Sequence, residues 1–360
     1  MIVKILLVTA LVGCAYDTRF EDCAVRCSDA IGCPDDLTCG PEGLCRASGM
    51  TETCSSVLGI NASCLGLAAT CGPNGDEDCC STAEPISGGA FYRSYDVASD
   101  GMYPSMSYPA TVSPFVLDRF EVTVGRFRKF VETGRGTRAN PPPIGAGERR
   151  LNGMDAQGGW DESWNTSLLA NTADLVEAMK CNAYWSWTDA PGMNEVLPIE
   201  CVTWYEAFAF CVWDGGFLPT EAEWNFAAAG GIEQRAYPWS SPSGSTTIDC
   251  SYANYNNGSA YCVNPASGAV SYVGSVSPKG DGRWGHADLI GNVWEWMLDW
   301  HQPYMNPCAD CASLTDASNR VVRGSNFFYA GVIRTARRFD AAPSARVEEV
   351  GVGIRCARTP

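Results

Sequence analysis

Histidine is nearly missing from this 360-residue chain: His286 and His301 are the only two. Two imidazoles exclude a multi-histidine metal centre and leave a Ser-His-Asp triad few candidates. Basic residues are also scarce, 25 against 41 acidic ones, for a formal charge of -16. That balance argues against nucleic acid as a partner, because neutralising phosphates takes a net basic surface. Charged residues reach only 18% and apolar residues 46%. A substantial core can therefore form, and wholesale disorder is excluded. Beyond the first fourteen residues no apolar run is long enough to cross a bilayer.

Cysteine, in contrast, is abundant: there are 19. The cytosol keeps thiols reduced, so this count points to an oxidising, extracytoplasmic setting with disulfides as the default. Met1 to Lys4 is a short basic start and Ile5 to Val12 an apolar run. Leu11-Val12-Gly13-Cys14 then resembles the lipobox of bacterial lipoproteins. The resemblance implies cleavage before Cys14 and lipid on Cys14, with a membrane as the first partner. Ala15 follows, not Asp, which favours the outer membrane of a Gram-negative bacterium. The alternative is an ordinary secretory signal with an incidental cysteine. Without Cys14, ten cysteines lie between Cys23 and Cys80 and eight between Cys181 and Cys356. Both groups are even, which fits two separately oxidised parts.

The expected organisation has three parts: residues 1–14 as signal and lipobox, 15–84 as a cysteine-rich disulfide module, and 85–360 as the main domain. The middle part has too little apolar content for a conventional core, so disulfides must staple it. A metal cluster is the alternative there. From Pro85 onward, aromatics, single glycines and short strand-like runs dominate. Gly125 to Val131 reads as a short helix with Phe127, Phe130 and Val131 on one side. Thr203-Trp204-Tyr205-Glu206 and Thr220-Glu221-Ala222-Glu223 are capping boxes, each opening a helix that a glycine pair stops. Residues 135–200, with Pro141 to Pro143, read as an irregular insertion. Few helical periods follow Gly231. The fold class expected is α+β with much of its mass in loops.

Eight segments then occur in the order of one family. They include Gly88-Gly89-Ala90-Phe91, Phe120-Glu121-Val122-Thr123 and Pro198 to Trp204. Leu218-Pro219-Thr220-Glu221-Ala222-Glu223-Trp224 is the most specific. Tyr237-Pro238-Trp239, Ile290-Gly291-Asn292-Val293-Trp294-Glu295-Trp296, Arg323-Gly324-Ser325 and Gly353-Ile354-Arg355-Cys356-Ala357 complete the series. Residues 85–360 thus resemble the formylglycine-generating enzymes, or sulfatase-modifying factors. The resemblance implies a C-type-lectin-like fold, loop-rich and internally disulfide-bonded.

The activity the resemblance implies is oxidation of a protein cysteine to formylglycine, with Cu(I) held by two thiolates shortly after the Arg-Gly-Gly-Ser-like segment. Here Arg323 to Arg334 contains no cysteine. Copper is therefore not expected, no catalytic residue is assigned, and a binding or structural role is favoured over an oxidase with an altered metal site. Cys308 and Cys311 form a Cys-x-x-Cys that could bind metal or do redox chemistry, but structural disulfides suit the compartment better. Cys201 is the most attractive partner for Cys356, and Cys250 and Cys262 could close a local loop. Calcium is the other implied group. Its ligands would be Asp288 and Glu295, with backbone carbonyls of Gly291 and Val293, unless Glu295 merely satisfies a buried turn. Arg334, Arg337 and Arg338 lie in a locally basic stretch that reads either as a groove for an anionic protein or glycan ligand or as core-bracing ion pairs. Trp204, Trp224, Trp239, Trp294 and Trp296 belong to core motifs. Trp160, Trp164, Trp185 and Trp187 are freer to face a ligand.

Overall fold

The computed structural model describes residues 33, 37–39, 45–47, 61–98, 104–181, 185–262, 270–329, 331, 333–346 and 351–360. Cys14, the lipobox and most of the cysteine-rich stretch lie outside them. The chain divides into a unit of residues 1–58 and one of 59–360. In the first, strands β1 (Leu37–Cys39) and β2 (Cys45–Ala47) pair antiparallel, and Cys33 bonds Cys45.

The second unit carries the other elements. Gly59 begins it, so the last part of the expected 15–84 module folds with the main domain. Cys64–Cys80 and Cys71–Cys79 tie that part together. Strands β3 (Gly89–Tyr92), β4 (Pro109–Val112) and β5 (Val116–Leu117) lead into helix α1 (Val124–Glu132), capped by Thr123. The expected irregular insertion is more regular than its composition suggests. It holds a hairpin, β6 (Arg149–Leu151) with β7 (Met154–Gln157), and helix α2 (Thr172–Ala178), capped by Asn171. Its tryptophans also differ from expectation. Trp160 and Trp187 are buried and Trp164 packs against Trp204, because the insertion folds back over the core; Trp185 stays exposed.

Helices α3 (Trp204–Trp213) and α4 (Glu221–Ala228) start where the sequence places them. In each, the threonine oxygen accepts the amide three residues on, and the glutamate accepts the threonine amide. Strand β8 (Trp294–Trp300) is buried on both faces, so exposure does not alternate along it even at Glu295 and Asp299. Trp294, Trp296 and Leu298 point into one core cluster with α1 and α3, and Met297 into a second with α4. β9 (Cys308–Ala309), β10 (Arg320–Arg323), β11 (Phe339–Ala341), β12 (Val352–Gly353) and β13 (Ala357–Arg358) complete the chain. The sheet order is β11-β10-β8-β12, with β12 parallel to β8. A second sheet runs β3-β4-β9, and β13 pairs with β5. The architecture is the loop-rich α+β fold expected.

One disulfide expectation is corrected. Cys356 bonds Cys211, not Cys201, and Cys201 bonds Cys181. Cys211 lies on the buried side of α3, facing the C-terminal strand. Cys201 precedes the helix in a left-handed conformation with φ 63°. Cys211–Cys356 spans a sequence separation of 145, which in the chain-entropy account stabilises by about 5 kcal/mol. Cys250–Cys262 and Cys308–Cys311 form as local loops.

Burial sets the pH response. Burial pushes the Glu200 carboxyl up to about 8, and Asp288 and Asp299 up to about 6. A carboxyl raised in the fold binds its proton more tightly there than in the unfolded chain, so stability falls as pH rises toward the folded value. His286, held near 3 by burial, works the other way below its ordinary value. Between pH 6 and 8 Glu200 contributes, in the same direction as Glu121, which burial also pushes well above its ordinary value. We expect the melting temperature to fall over that interval, and Glu200→Gln, which mimics the neutral acid, to make the fall shallower. Parallel curves for the two proteins in a thermal-denaturation pH series would contradict this.

Candidate functional site

The turn before β8 and the loop after β10 are bonded together, and this is where the family chemistry was expected. Gly291 N–H donates to Gly324 O at 2.9 Å, and Phe327 N–H to Asn292 O at 3.0 Å. Gly291 has φ 90°, and a Cβ there would lie 2.4 Å from Asn254 O, so only glycine fits. The loop side chains are aromatic. Phe327 is buried against Val293 and Val270. Phe328 is 42% exposed and stacks on Tyr261 at 5.9 Å. Tyr329 packs edge-on to Trp294 at 6.0 Å and to Phe339 at 5.5 Å, and Trp294 meets Phe339 at 4.8 Å.

The three arginines assigned to an anionic groove are half-buried, and each meets a neighbouring side chain. Arg334 pairs with Asp96 at 2.7 Å. Arg337 donates to the Tyr329 hydroxyl at 3.0 Å and lies 4.7 Å over the Phe339 ring. Arg338 pairs with Glu221 at 2.7 Å. Arg323 joins the same carboxylate at 2.7 Å, together with the Tyr304 hydroxyl. Burial alone would push Glu221 up; Arg323 and Arg338 instead hold it at about 2. These side chains brace the loops because each buried charge needs a partner.

The expected calcium ligands share one turn but are already engaged. Glu295 accepts from Arg355 at 2.7 Å and from the Trp224 indole at 2.6 Å, so both its oxygens are in use. Asp288 Oδ2 accepts from Gly274 N–H at 2.5 Å. Val293 N–H donates to Glu121, a carboxylate that sequence reasoning missed. Glu121 is pushed well above its ordinary value, by burial and then by Asp288. Calcium takes six to eight oxygens. With Glu295 committed to a guanidinium, the set does not fit it, and no group of three metal-binding side chains occurs among the described residues. In this arrangement Arg355 supplies the positive charge beside Glu295. Its signal was the arginine in Gly353-Ile354-Arg355-Cys356, though sequence cannot show which carboxylate it meets.

The donor set for Cu(I) does not fit either. Thiolates are the ligands that suit it, and every described cysteine is disulfide-bonded.

Comparison with known proteins settles the family. The family described as "Sulfatase-modifying factor enzyme 1-like domain" matches residues 76–360. The chain belongs to that family. Among curated relatives, the mouse formylglycine-generating enzyme is 28% identical over 291 residues, 76% of this chain and 74% of the relative. The mouse protein named "Inactive C-alpha-formylglycine-generating enzyme 2" is 29% identical over 232 residues, 61% and 68%. A solved structure titled "Structure of PvdO from Pseudomonas aeruginosa" aligns with a TM-score of 0.48 at 20% identity, over 77% of this chain and 93% of that one. The family match covers the loop-rich α+β domain described above.

Because Arg355 already neutralises Glu295, calcium should not stabilise the domain. Melting curves in millimolar calcium and in chelator are expected to coincide; a rise with calcium would show that a cation can enter beside Arg355.

Proposed function

We propose that this family member is a non-catalytic binding protein, held outside the cytoplasm by lipid on Cys14. The observation that carries the reading is the loop after Arg323. Where the oxidase chemistry would need a pair of thiolates, the chain offers Phe327, Phe328 and Tyr329, the last packed on Trp294 and Phe339. Aromatic side chains cannot replace thiolates at Cu(I). A mouse relative of comparable identity carries "Inactive" in its name, in keeping with a family fold that outlives its chemistry. The exposed face of Phe328, stacked on Tyr261, is suited to a protein side chain or a sugar ring. The acidic balance disfavours nucleic acid. Anchoring rests on the Leu11 to Cys14 pattern and on the cysteine count.

Two experiments test the two halves. The purified, oxidised protein is incubated with copper and a peptide containing Cys-x-Pro-x-Arg, and the peptide is weighed. We expect an unchanged mass beside an active control enzyme. Conversion of the thiol to an aldehyde would sink the non-catalytic reading and return the protein to the oxidases with an unfamiliar copper site. In fractionated bacterial cells, the wild-type chain should sediment with membranes and Cys14→Ser should not. Equal membrane fractions would remove the lipid anchor.

A further inference from the structure

The Cys308–Cys311 disulfide differs from Cys211–Cys356 in loop length and in its neighbours. It closes a sequence separation of only 3, against 145 for Cys211–Cys356. It therefore restrains the unfolded chain little and adds little to the fold. It also sits at a border. β9 is the terminal strand of its sheet and pairs two residues with β4, and both Pro307 and Ala309, on either side of Cys308, are exposed. Cys308 and Cys311 are both buried residues of the second core cluster, 5% and 2% exposed, so an incoming thiol reaches Cys308 only when the two-residue β9 edge parts from β4.

The third feature is a cation on one sulfur. Arg93 Nη1 donates to Cys311 Sγ at 3.3 Å. Arg93 is buried, and the loop that bears the motif fixes it: Nη2 donates to Met305 O, and the guanidinium lies 4.5 Å over the Tyr304 ring. Cys64 and Cys79, by contrast, have neutral hydroxyls beside their sulfurs, from Ser63 and Thr70. A neutral disulfide sulfur gains little from a guanidinium. A thiolate gains a charge-assisted hydrogen bond, which lowers its pKa and makes it a better leaving group.

We propose that Cys308–Cys311 is a thiol–disulfide exchange site that oxidises a dithiol on another extracytoplasmic protein, with Arg93 deciding which sulfur leaves. A partner thiolate attacks Cys308 Sγ. The S–S electron pair passes to Cys311, which departs as a thiolate paired with Arg93, and a partner–Cys308 mixed disulfide forms. The partner's second thiol gives its proton to solvent and attacks the partner's own bridged sulfur. Cys308 leaves as a thiolate and is protonated by solvent, as is Cys311. The partner loses two electrons and two protons and gains a disulfide, and the Cys308–Cys311 pair is reduced to two thiols. This inference does not depend on the copper chemistry and survives either outcome there.

Glutathione serves as the monothiol probe on the folded, oxidised full chain. After an acid quench and alkylation, peptide mass mapping is expected to find glutathione on Cys308 and an alkylated free thiol at Cys311. Arg93→Gln should slow that adduct about tenfold or more. It should leave attack on the more exposed Cys250–Cys262 pair unchanged, which gives an internal control for folding. Glutathione on Cys311 with Cys308 free would overturn the assignment, as would reaction confined to Cys250–Cys262 or a rate indifferent to Arg93. Should Arg93→Gln fail to fold, the position of the adduct in the wild-type chain still decides.

Discussion

A buried quartet of charges holds the second unit together. Arg126, fully enclosed, donates to Asp118 at 2.8 Å and to Asp214 at 2.6 Å, and its Nε reaches the Ser63 hydroxyl at 2.9 Å. Arg358 approaches the same two aspartates from the C-terminal strand. Two cations and two anions balance, so none is left uncompensated. Removing one partner of such a buried pair costs about 3–5 kcal/mol, chiefly because the remaining charge has no solvent. Asp118 shows the balance directly: burial would raise its carboxyl, and Arg358 and Arg126 together hold it below its ordinary value. The quartet joins the 61–64 segment, the turn before α1, α1 itself, the end of α3 and the C-terminus. Cys211–Cys356 closes the same join covalently.

The same device recurs wherever a loop must be shaped without a long strand or helix. Glu295 takes Arg355, Glu221 takes Arg323 and Arg338, and Glu206 takes Arg346. Asp299, from β8, caps the first amide of α4. Because the carboxylates near the Gly291 turn and the arginines after Arg323 are consumed in this bracing, little of that charge remains for a ligand. What the loop after Arg323 presents instead is aromatic surface, with Phe328 outermost. The disulfide beside Arg93 is the exception to pure bracing, since its guanidinium faces a neutral sulfur and not a carboxylate.

Backbone geometry and side-chain packing set different parts of this domain. Thr203 and Thr220 cap their helices, and a Cβ at Gly291 would meet Asn254 O, so the backbone itself fixes these places. The side chains after Arg323 answer to packing instead, Phe327 against Val293 and Tyr329 against Trp294 and Phe339.

Local chemistry made part of this legible from the amino acids alone. The two capping boxes fixed the starts of α3 and α4, because a cap needs only four consecutive residues. The ordered motifs identified the family and its fold. The cysteine count pointed to disulfides, and every described cysteine is in one. The tertiary structure decided the rest, because those outcomes depend on residues far apart in the chain. Cys356 chose Cys211 over Cys201 through the orientation of α3. Trp160 and Trp187 became core because the insertion folds back. Glu295 met Arg355, 60 residues away, which turned a candidate calcium ligand into half of an ion pair. Arg93 reached Cys311 across 218 residues, a contact that spacing in the sequence does not encode.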